Sequence, residues 1–529
     1  METTCLHFNQ TNLLKPLVRD YINQADKAQP LTAFSPDKEG IAMALKARRS
    51  TAVNRQALVQ ALKAQYEKAG ILAKDIARQI EKFDNENTFS ITTGHQLNLF
   101  GSTQYFIYKI VEVIKYTQEL KERFPADDFI PVFWLASEDH DFDEINHARI
   151  EGQRQEWKSN EKGAAGPFNP EAVLKIIEEL DPFWASEPVT GAFLKELFTK
   201  AYAALNLADA TRLWVHELFK QYGLIVIDGN DPILKKQFAP VVKSELLEQR
   251  TFNAIEETNS YLLENDYHIQ VYARPINLFY LHTNGRDRIV KTDKGFTTVD
   301  SEFTFTQQEL LTELEQHPER FSPNALMRPM YQETILPNLA YIGGAGEIAY
   351  WLQEKTAFES HGVFYPQVVA RNSAIWLNRR LGKKLNKIGL SYTDFFTRKE
   401  DLIARYAESH HSGSRFFELS RSLEGLWQEF QEASETAFHD LKLKTGITAA
   451  EKQKELTKLR HDLRKIVKAK NDADLLVIHQ VYDSMFPNGS FQERIDTFLP
   501  TYMRLGKGYI DTLFEHIEPC EHKVLVFEY

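Results

Sequence analysis

Hydrophobic and polar positions along the chain follow a repeating order of short apolar runs, small-residue turns and amphipathic stretches. Thr88-Phe89-Ser90-Ile91-Thr92-Thr93 is rich in β-branched and aromatic residues and predicts a strand ending in Gly94-His95-Gln96. The small pair Gly101-Ser102 then opens a predicted helix, Gln104 to Leu120, whose Phe106, Ile110, Val113 and Ile114 fall on one stripe. Val132 to Ala136 reads as a second buried strand. Strand, glycine-containing loop, helix and strand make a βαβ unit, which implies parallel strands and a right-handed crossover.

Three more runs fit the same sheet. Leu224 to Ile227 precedes the polar turn Asp228-Gly229-Asn230-Asp231-Pro232. Leu339 to Ile342 leads into Gly343-Gly344-Ala345-Gly346-Glu347 and a helix through Phe358. Val363 to Val369 leads into Arg371-Asn372-Ser373. The pattern predicts an α/β fold with a parallel-sheet core over about residues 86–385, preceded by a helical region over 1–85. Two segments interrupt the rhythm and read as insertions: about 150–220, helical and polar, and about 233–335. The second holds a helix and alternating runs at Ile269–Tyr280 and Arg288–Thr298, joined by the hairpin cue Asn284-Gly285.

From 386 to 505 the chain reads as helical, with a hairpin at about 420–485. Leu423, Leu426, Phe430, Ala433, Ala437 and Leu441 follow 3/4 spacing, Gly446 breaks it, and Leu456, Leu459, Leu463 and Ile466 resume it. This predicts an antiparallel helical coiled coil. Its first arm is acidic (Glu424, Glu429, Glu432, Glu435, Asp440) and its second basic (Lys452, Lys454, Lys458, Arg460, Arg464, Lys465, Lys468, Lys470), which favours pairing within the hairpin or between subunits. A basic arm is also able to meet RNA. Residues 506–529 return to the body, with Lys523 to Phe527 as a last strand.

Composition narrows the class. At 529 residues the chain exceeds one core, and about two to four domains are expected. A formal net charge of −11 argues against a general nucleic-acid binder. Two cysteines, Cys5 and Cys520, cannot build a disulfide framework or a CxxC zinc site, and suit a reducing cytoplasm. No signal peptide is evident, and no apolar run approaches the ~20 residues needed to span a bilayer.

The densest chemistry lies in Ser137-Glu138-Asp139-His140-Asp141-Phe142-Asp143-Glu144, five carboxylates and a histidine at the carboxyl end of a strand. That edge of an open α/β sheet is where ligands bind. Such crowding calls for an offset by a cation, a basic substrate or basic side chains. Carboxylates with one histidine suit Mg²⁺ or Mn²⁺, but one short segment does not surround a metal. They can instead hold a substrate ammonium group or take its proton, with Asp139 and His140 nearest the strand end and some of Asp141, Asp143 and Glu144 capping the next helix.

Thr93-Gly94-His95-Gln96 stands at a strand-to-helix junction, where backbone amides are able to cradle phosphate and His95 to donate to it. A tight turn with a buried histidine is the plainer alternative. No GxxxxGK[ST] string occurs, which excludes a P-loop. Gly344-Ala345-Gly346-Glu347 fits a loose GxGxxA pattern without the acidic partner of a dinucleotide site, so it reads as a helix start facing the crevice. Arg371 can clamp a phosphate or carboxylate, or pair with the acidic stretch.

At these residues the chain resembles the cysteine ligase family of bacillithiol biosynthesis, BshC. The matching pieces run in family order over essentially the full length. They are Thr93-Gly94-His95-Gln96 with Gly101-Ser102 and Lys109-Ile110; Pro131 to Asn146; His317 to Asn324 with Arg328-Pro329; and Ala340 to Trp351. Most specific is Phe133-Trp134-Leu135-Ala136-Ser137-Glu138-Asp139-His140-Asp141-Phe142-Asp143-Glu144-Ile145. The resemblance implies a Rossmann-like core related to class I aminoacyl-tRNA synthetases, two connecting insertions and a coiled coil that supports a homodimer. It also implies ATP or ADP as nucleotide and a reaction joining the carboxyl group of cysteine to the amine of glucosaminyl malate. His95 occupies the place of the HIGH-like motif, here TGHQ, and Arg371-Asn372-Ser373 stands where a KMSKS-like string would follow. The implied site residues are His95, Asp139, His140 and Asp141 for catalysis, and Thr93, Gly94, Gln96, Glu138, Gly343, Gly344, Gly346, Glu347, Arg371, Asn372 and Ser373 for nucleotide or substrate. A nucleotide-binding scaffold of the same pathway and a synthetase-like RNA-modifying ligase are the competing readings.

Overall fold

A computed structural model describes residues 1–283, 285–300, 303–409, 414–437, 451–463, 465–466 and 472–529. Its centre is a five-stranded parallel sheet. The strands are β1 (Thr88–His95), β2 (Asp128–Leu135), β3 (Ile225–Asp228), β4 (Asn338–Gly343) and β5 (Gln367–Ala370). They lie in the order β5-β4-β1-β2-β3. The chain therefore builds outward from β1 to β3, then returns to the other side of β1 for β4. The connections after β1 and β4 diverge, and this switch point opens a crevice at the carboxyl edge.

Alternation sets the two faces of the sheet. Ile130, Val132 and Trp134 of β2 join a core with the helices α2 (Pro232–Glu248) and α3 (Ala345–His361). Phe133 and Leu135 face the opposite core, with Phe106, Ile107 and Ile110 of the helix Tyr105–Arg123. Both cores have buried strands, so these read as apolar runs rather than as half-polar ones.

The α/β core, its insertions and the C-terminal helices follow the expected order, with several differences. β2 begins four residues before Val132, because Pro131 disguises its first half. The expected strand Val363–Val369 is short, Gln367–Ala370. In the first insertion the helices Pro188–Tyr202 and Leu207–Phe219 bury Leu194, Phe198, Tyr202 and Trp214, so this segment is a core-bearing lobe and not a polar one. In the second, Ile269–Asn277 is not strand. A five-stranded antiparallel sheet there runs through Leu278–His282, Gly285–Thr292 and Gly295–Thr298, with short strands Thr304–Phe305 and Phe321–Pro323 at its edges. Asn284 lies outside the described residues.

A further sheet joins Glu2–His7, Lys523–Glu528 and Ser373–Leu377, with Lys523–Glu528 in the middle. The N-terminal strand in it was not expected from the helical look of residues 1–85. Of the coiled coil, the helix Ser414–Ala437 and residues 451–463 are described, and Arg460 pairs with Glu424 across the arms at 2.5 Å. Asp440, Leu441, Gly446, Arg464, Lys468 and Lys470 lie outside the described residues.

Candidate active site

The switch point holds a cavity of about 610 Å³. Gly94, His95 and Gln96 enter it from the end of β1, and Ala136 to Asp139 from the end of β2. Tyr341 of β4 and Glu347 of α3 also line it, with Arg328 of the second insertion beside Tyr341 and with Phe279 and Arg286 of the same insertion. Gly343 is required at the β4–α3 turn, since a Cβ there would stand 3.0 Å from both Tyr341 and Glu347 side-chain atoms.

The acidic stretch divides in space. Glu138 reaches inward and pairs through Oε1 with the buried ammonium of Lys235, which also donates to the Phe321 carbonyl at 2.8 Å. Asp139 lines the cavity and accepts from Gln96 Nε2 at 2.8 Å, and the same amide donates to Glu144 at 2.7 Å. His140 is exposed and accepts at Nδ1 from Arg286 at 3.0 Å. Asp141 and Asp143 point to solvent at the start of the one-turn helix Phe142–Ile145, and the Asp141 side chain makes no capping bond. Among the described residues no three His, Cys, Asp or Glu side chains converge as a metal-ligand set.

Behind the β1 turn lies an ion pair between buried Lys109 and Glu347, whose side chain is 25% exposed at the cavity. Lys109 Nζ stands 2.7 Å from Glu347 and donates to the Gly94 carbonyl at 2.6 Å. Tyr341 donates to Glu347 Oε1 at 2.5 Å, and the Gly344 amide donates to Oε2 at 2.9 Å. Burial works against ionisation, but Lys109, Tyr341 and the Gly344 amide together hold the Glu347 carboxyl down at about 2. The pair thus stays charged and anchors β1 to α3. His95 stacks near Tyr105 and Phe106 and donates from Nδ1 to the Gln96 carbonyl at 3.1 Å. Burial and the nearby Lys109 ammonium lower it to about 4. It is neutral at pH 7, and Nε2 offers a lone pair rather than a proton.

Two family models match the chain end to end: the N-terminal Rossmann-like domain of the bacillithiol biosynthesis protein BshC over residues 1–372, and its C-terminal coiled-coil domain over 374–529. The chain belongs to the BshC family. Proteins named "Putative cysteine ligase BshC" from Flavobacterium johnsoniae and Christiangramia forsetii are 37% and 35% identical to it. The alignments cover 98% of both chains in the first case, and 100% of this chain and 99% of the relative in the second. A Bacillus cereus protein of the same name is 25% identical over 94% of this chain and 95% of its own. Membership makes the chain a ligase by family, with a role in bacillithiol biosynthesis.

The remaining expected site residues of this BshC chain do not share the cavity. Thr93 is buried in the sheet and donates to the Ile342 carbonyl at 2.7 Å. Gly344, Gly346, Arg371 and Ser373 line a second pocket of about 320 Å³, with Lys15, Glu493 and Arg494. Tyr105 stands between the two spaces: it lines the first, and the Arg371 guanidinium lies 4.7 Å from its ring. Arg371 pairs with Glu493, not with the acidic stretch, through two bonds of 2.6 and 3.1 Å. Asn372 acts as a clasp. Its backbone and side-chain amides donate to Glu112 at 2.8 and 2.9 Å, and its carbonyl accepts from the Lys523 amide.

Of the cavity's cations, Arg286 was not singled out from the sequence, because a separate insertion brings it to the strand ends. Lys109 was marked only within the matching string Lys109-Ile110, although a cation on the apolar stripe of its helix, one turn from Phe106, is a signal. Arg328 was marked within Arg328-Pro329, as a group ahead of a strand, without a role in the cavity.

Proposed function

We propose that this BshC chain joins the carboxyl group of L-cysteine to the amine of glucosaminyl malate in the switch-point cavity. The observation that carries this reading is that acidic groups, Glu138 and Asp139, and cationic ones, Arg286 and Arg328, line the same cavity. An amide forms when the amine nitrogen bonds to the cysteine carbonyl carbon, a carboxyl oxygen leaves, and the ammonium has lost its proton. Glu138 and Asp139 suit the ammonium, and Asp139 is the base that accepts its proton, held in place by Gln96. Neutral His95, which donates from Nδ1 to the Gln96 carbonyl, offers its Nε2 lone pair to a substrate N–H or O–H. Trp134, Phe279 and the rings beside them exclude water from the reacting carboxyl group.

ATP, when bound, supplies the group that turns a carboxyl oxygen into a leaving group. The second pocket fits its phosphates. Gly344 to Gly346 form the first turn of the 17-residue α3, a side chain at Gly346 would meet nothing within 4 Å, and Arg371 Nε is buried without a hydrogen-bond partner. Arg371 and Arg494, with the Ala345 and Gly346 amides, would hold the phosphates, since the Gly344 amide is taken by Glu347.

The test is incubation of the purified chain with ATP, cysteine and glucosaminyl malate, followed by mass spectrometry. Cysteinyl product is expected without any added protein; ligand binding with no product favours the scaffold reading instead. We further propose a homodimer through the coiled coil. Leu419, Leu423, Leu426 and Phe430 recur at 4-3-4 spacing along Ser414–Ala437 and are 43–60% exposed. Leu426→Glu should convert the dimer to monomer in light scattering; an unchanged mass places the interface elsewhere.

A further inference from the structure

Four cations surround the switch-point cavity, the buried Lys109 and Lys235 and the half-buried Arg286 and Arg328, and they differ in what neutralises them. Lys109 has Glu347 and Lys235 has Glu138. Arg286 spends all its nitrogens on His140, Ser322 and the Pro323 carbonyl, with its plane 4.1 Å from the Phe279 ring. Arg328 is different. It donates from Nη1 to the neutral Gln332 amide at 2.9 Å and lies beside the neutral Tyr350 hydroxyl, and Nη2 is buried without a partner. The guanidinium lies 5.8 and 5.5 Å from the Trp134 and Tyr341 rings, two walls of the cavity.

Among the described residues no carboxylate comes within ion-pair distance of Arg328. Glu347 is committed to Lys109. Glu354 is buried with no hydrogen bond to either oxygen and makes no ion pair with Arg328; burial pushes its carboxyl up, and the more distant Arg328 charge only partly offsets this. A half-buried guanidinium without a counter-ion is costly, and a bound anion removes that cost. We propose that Arg328 is the specificity-determining residue that receives a carboxylate of the bound substrate, while Glu138 and Asp139 hold the amine. The ligand class is a carboxylate-bearing amine. The carboxylate comes either from the malyl group of the acceptor or from the amino acid, and this choice rests on the ligase reading above.

The test compares wild type with Arg328→Gln and Arg328→Lys. L-malate binding is read by calorimetry, and KM and kcat are measured separately for cysteine and for glucosaminyl malate. In Arg328→Gln, KM for the acceptor and the malate affinity should both worsen about 30-fold or more with kcat little changed, and lysine should restore part of the loss. The same rise in KM for cysteine alone assigns the carboxylate to the amino acid. Unchanged malate binding and unchanged KM for both substrates, in a variant with wild-type circular dichroism and thermal unfolding, overturn the proposal. If the glutamine variant does not fold, Arg328→Lys is read the same way, with about a tenfold loss expected and none overturning it. A wild-type chain that makes no product but binds malate in an Arg328-dependent way refutes the ligase reading and leaves this inference standing.

Discussion

Lys109→Met should destabilise the protein by about 3–5 kcal/mol, the largest effect expected of any single change at the site. Methionine keeps the length and the apolar stem but leaves the mostly buried Glu347 beside two neutral donors. The loss has a pH signature. Glu347 has a folded pKa of about 2, below its ordinary value, so its contribution is fully present above about pH 4.5 and fades as the pH falls through 2. In the variant, burial pushes the carboxyl up, and the protonated form is tolerated. The gap between wild type and variant should therefore be wide at pH 7 and narrow toward pH 3. Urea unfolding at several pH values measures it. The double variant Lys109→Met/Glu347→Gln should recover much of the loss, because no buried charge is then left alone. A gap that stays constant with pH would mean that Lys109 acts by packing.

Asp139→Asn should lower kcat by about 10²–10⁴-fold while the fold survives. Asparagine keeps the size and an oxygen for Gln96 Nε2, so the change removes chiefly the ability to take a proton. Asp141→Asn serves as the internal comparison. Its side chain faces solvent and caps nothing, and its activity should stay within about twofold of wild type. Turnover is followed by mass spectrometry of the cysteinyl product, and folding by thermal unfolding. Equal activity in the two variants would remove Asp139 as the base. Glu138 is a poorer variant to read, since its loss strands the buried Lys235 ammonium.

The contrast between Asp139 and Asp141 shows what a linear chain conceals. The acidic stretch was legible as a ligand edge because an apolar run breaks into charge where a strand must end. Its division was legible in part: Asp139 was placed nearest the strand end and the later carboxylates at the next helix. What was not legible is that Asp141 caps nothing and that Asp139 and Glu144 share Gln96. The sequence likewise placed Gly94, Gly344 and Arg371 in one crevice, since all follow strands of one sheet. Tyr105 and the Gly343 turn part that space in two, which depends on side-chain bulk rather than strand order. Arg286 was hidden for another reason. Nothing local marks it, and only the docking of the second insertion gives it a role, while Arg328 was marked by its string but not by its place in the cavity. The strand Glu2–His7 is hidden most completely, as Glu-Thr-Thr-Cys-Leu-His carries little apolar signal and its partner lies at the far end of the chain.

That pairing fixes an order of assembly during synthesis. Glu2–His7 leaves the ribosome long before its hydrogen-bonding partner, Lys523–Glu528. Until then the nascent chain carries an unpaired edge through the making of the parallel sheet, both insertions and the coiled coil. Ser373–Leu377 waits for the same late strand on its other side. The three strands thus form a seam that closes only once Lys523–Glu528 has emerged. A fragment ending near residue 372 keeps the switch-point cavity but loses the segment that closes the seam, and it exposes an open strand edge to its neighbours.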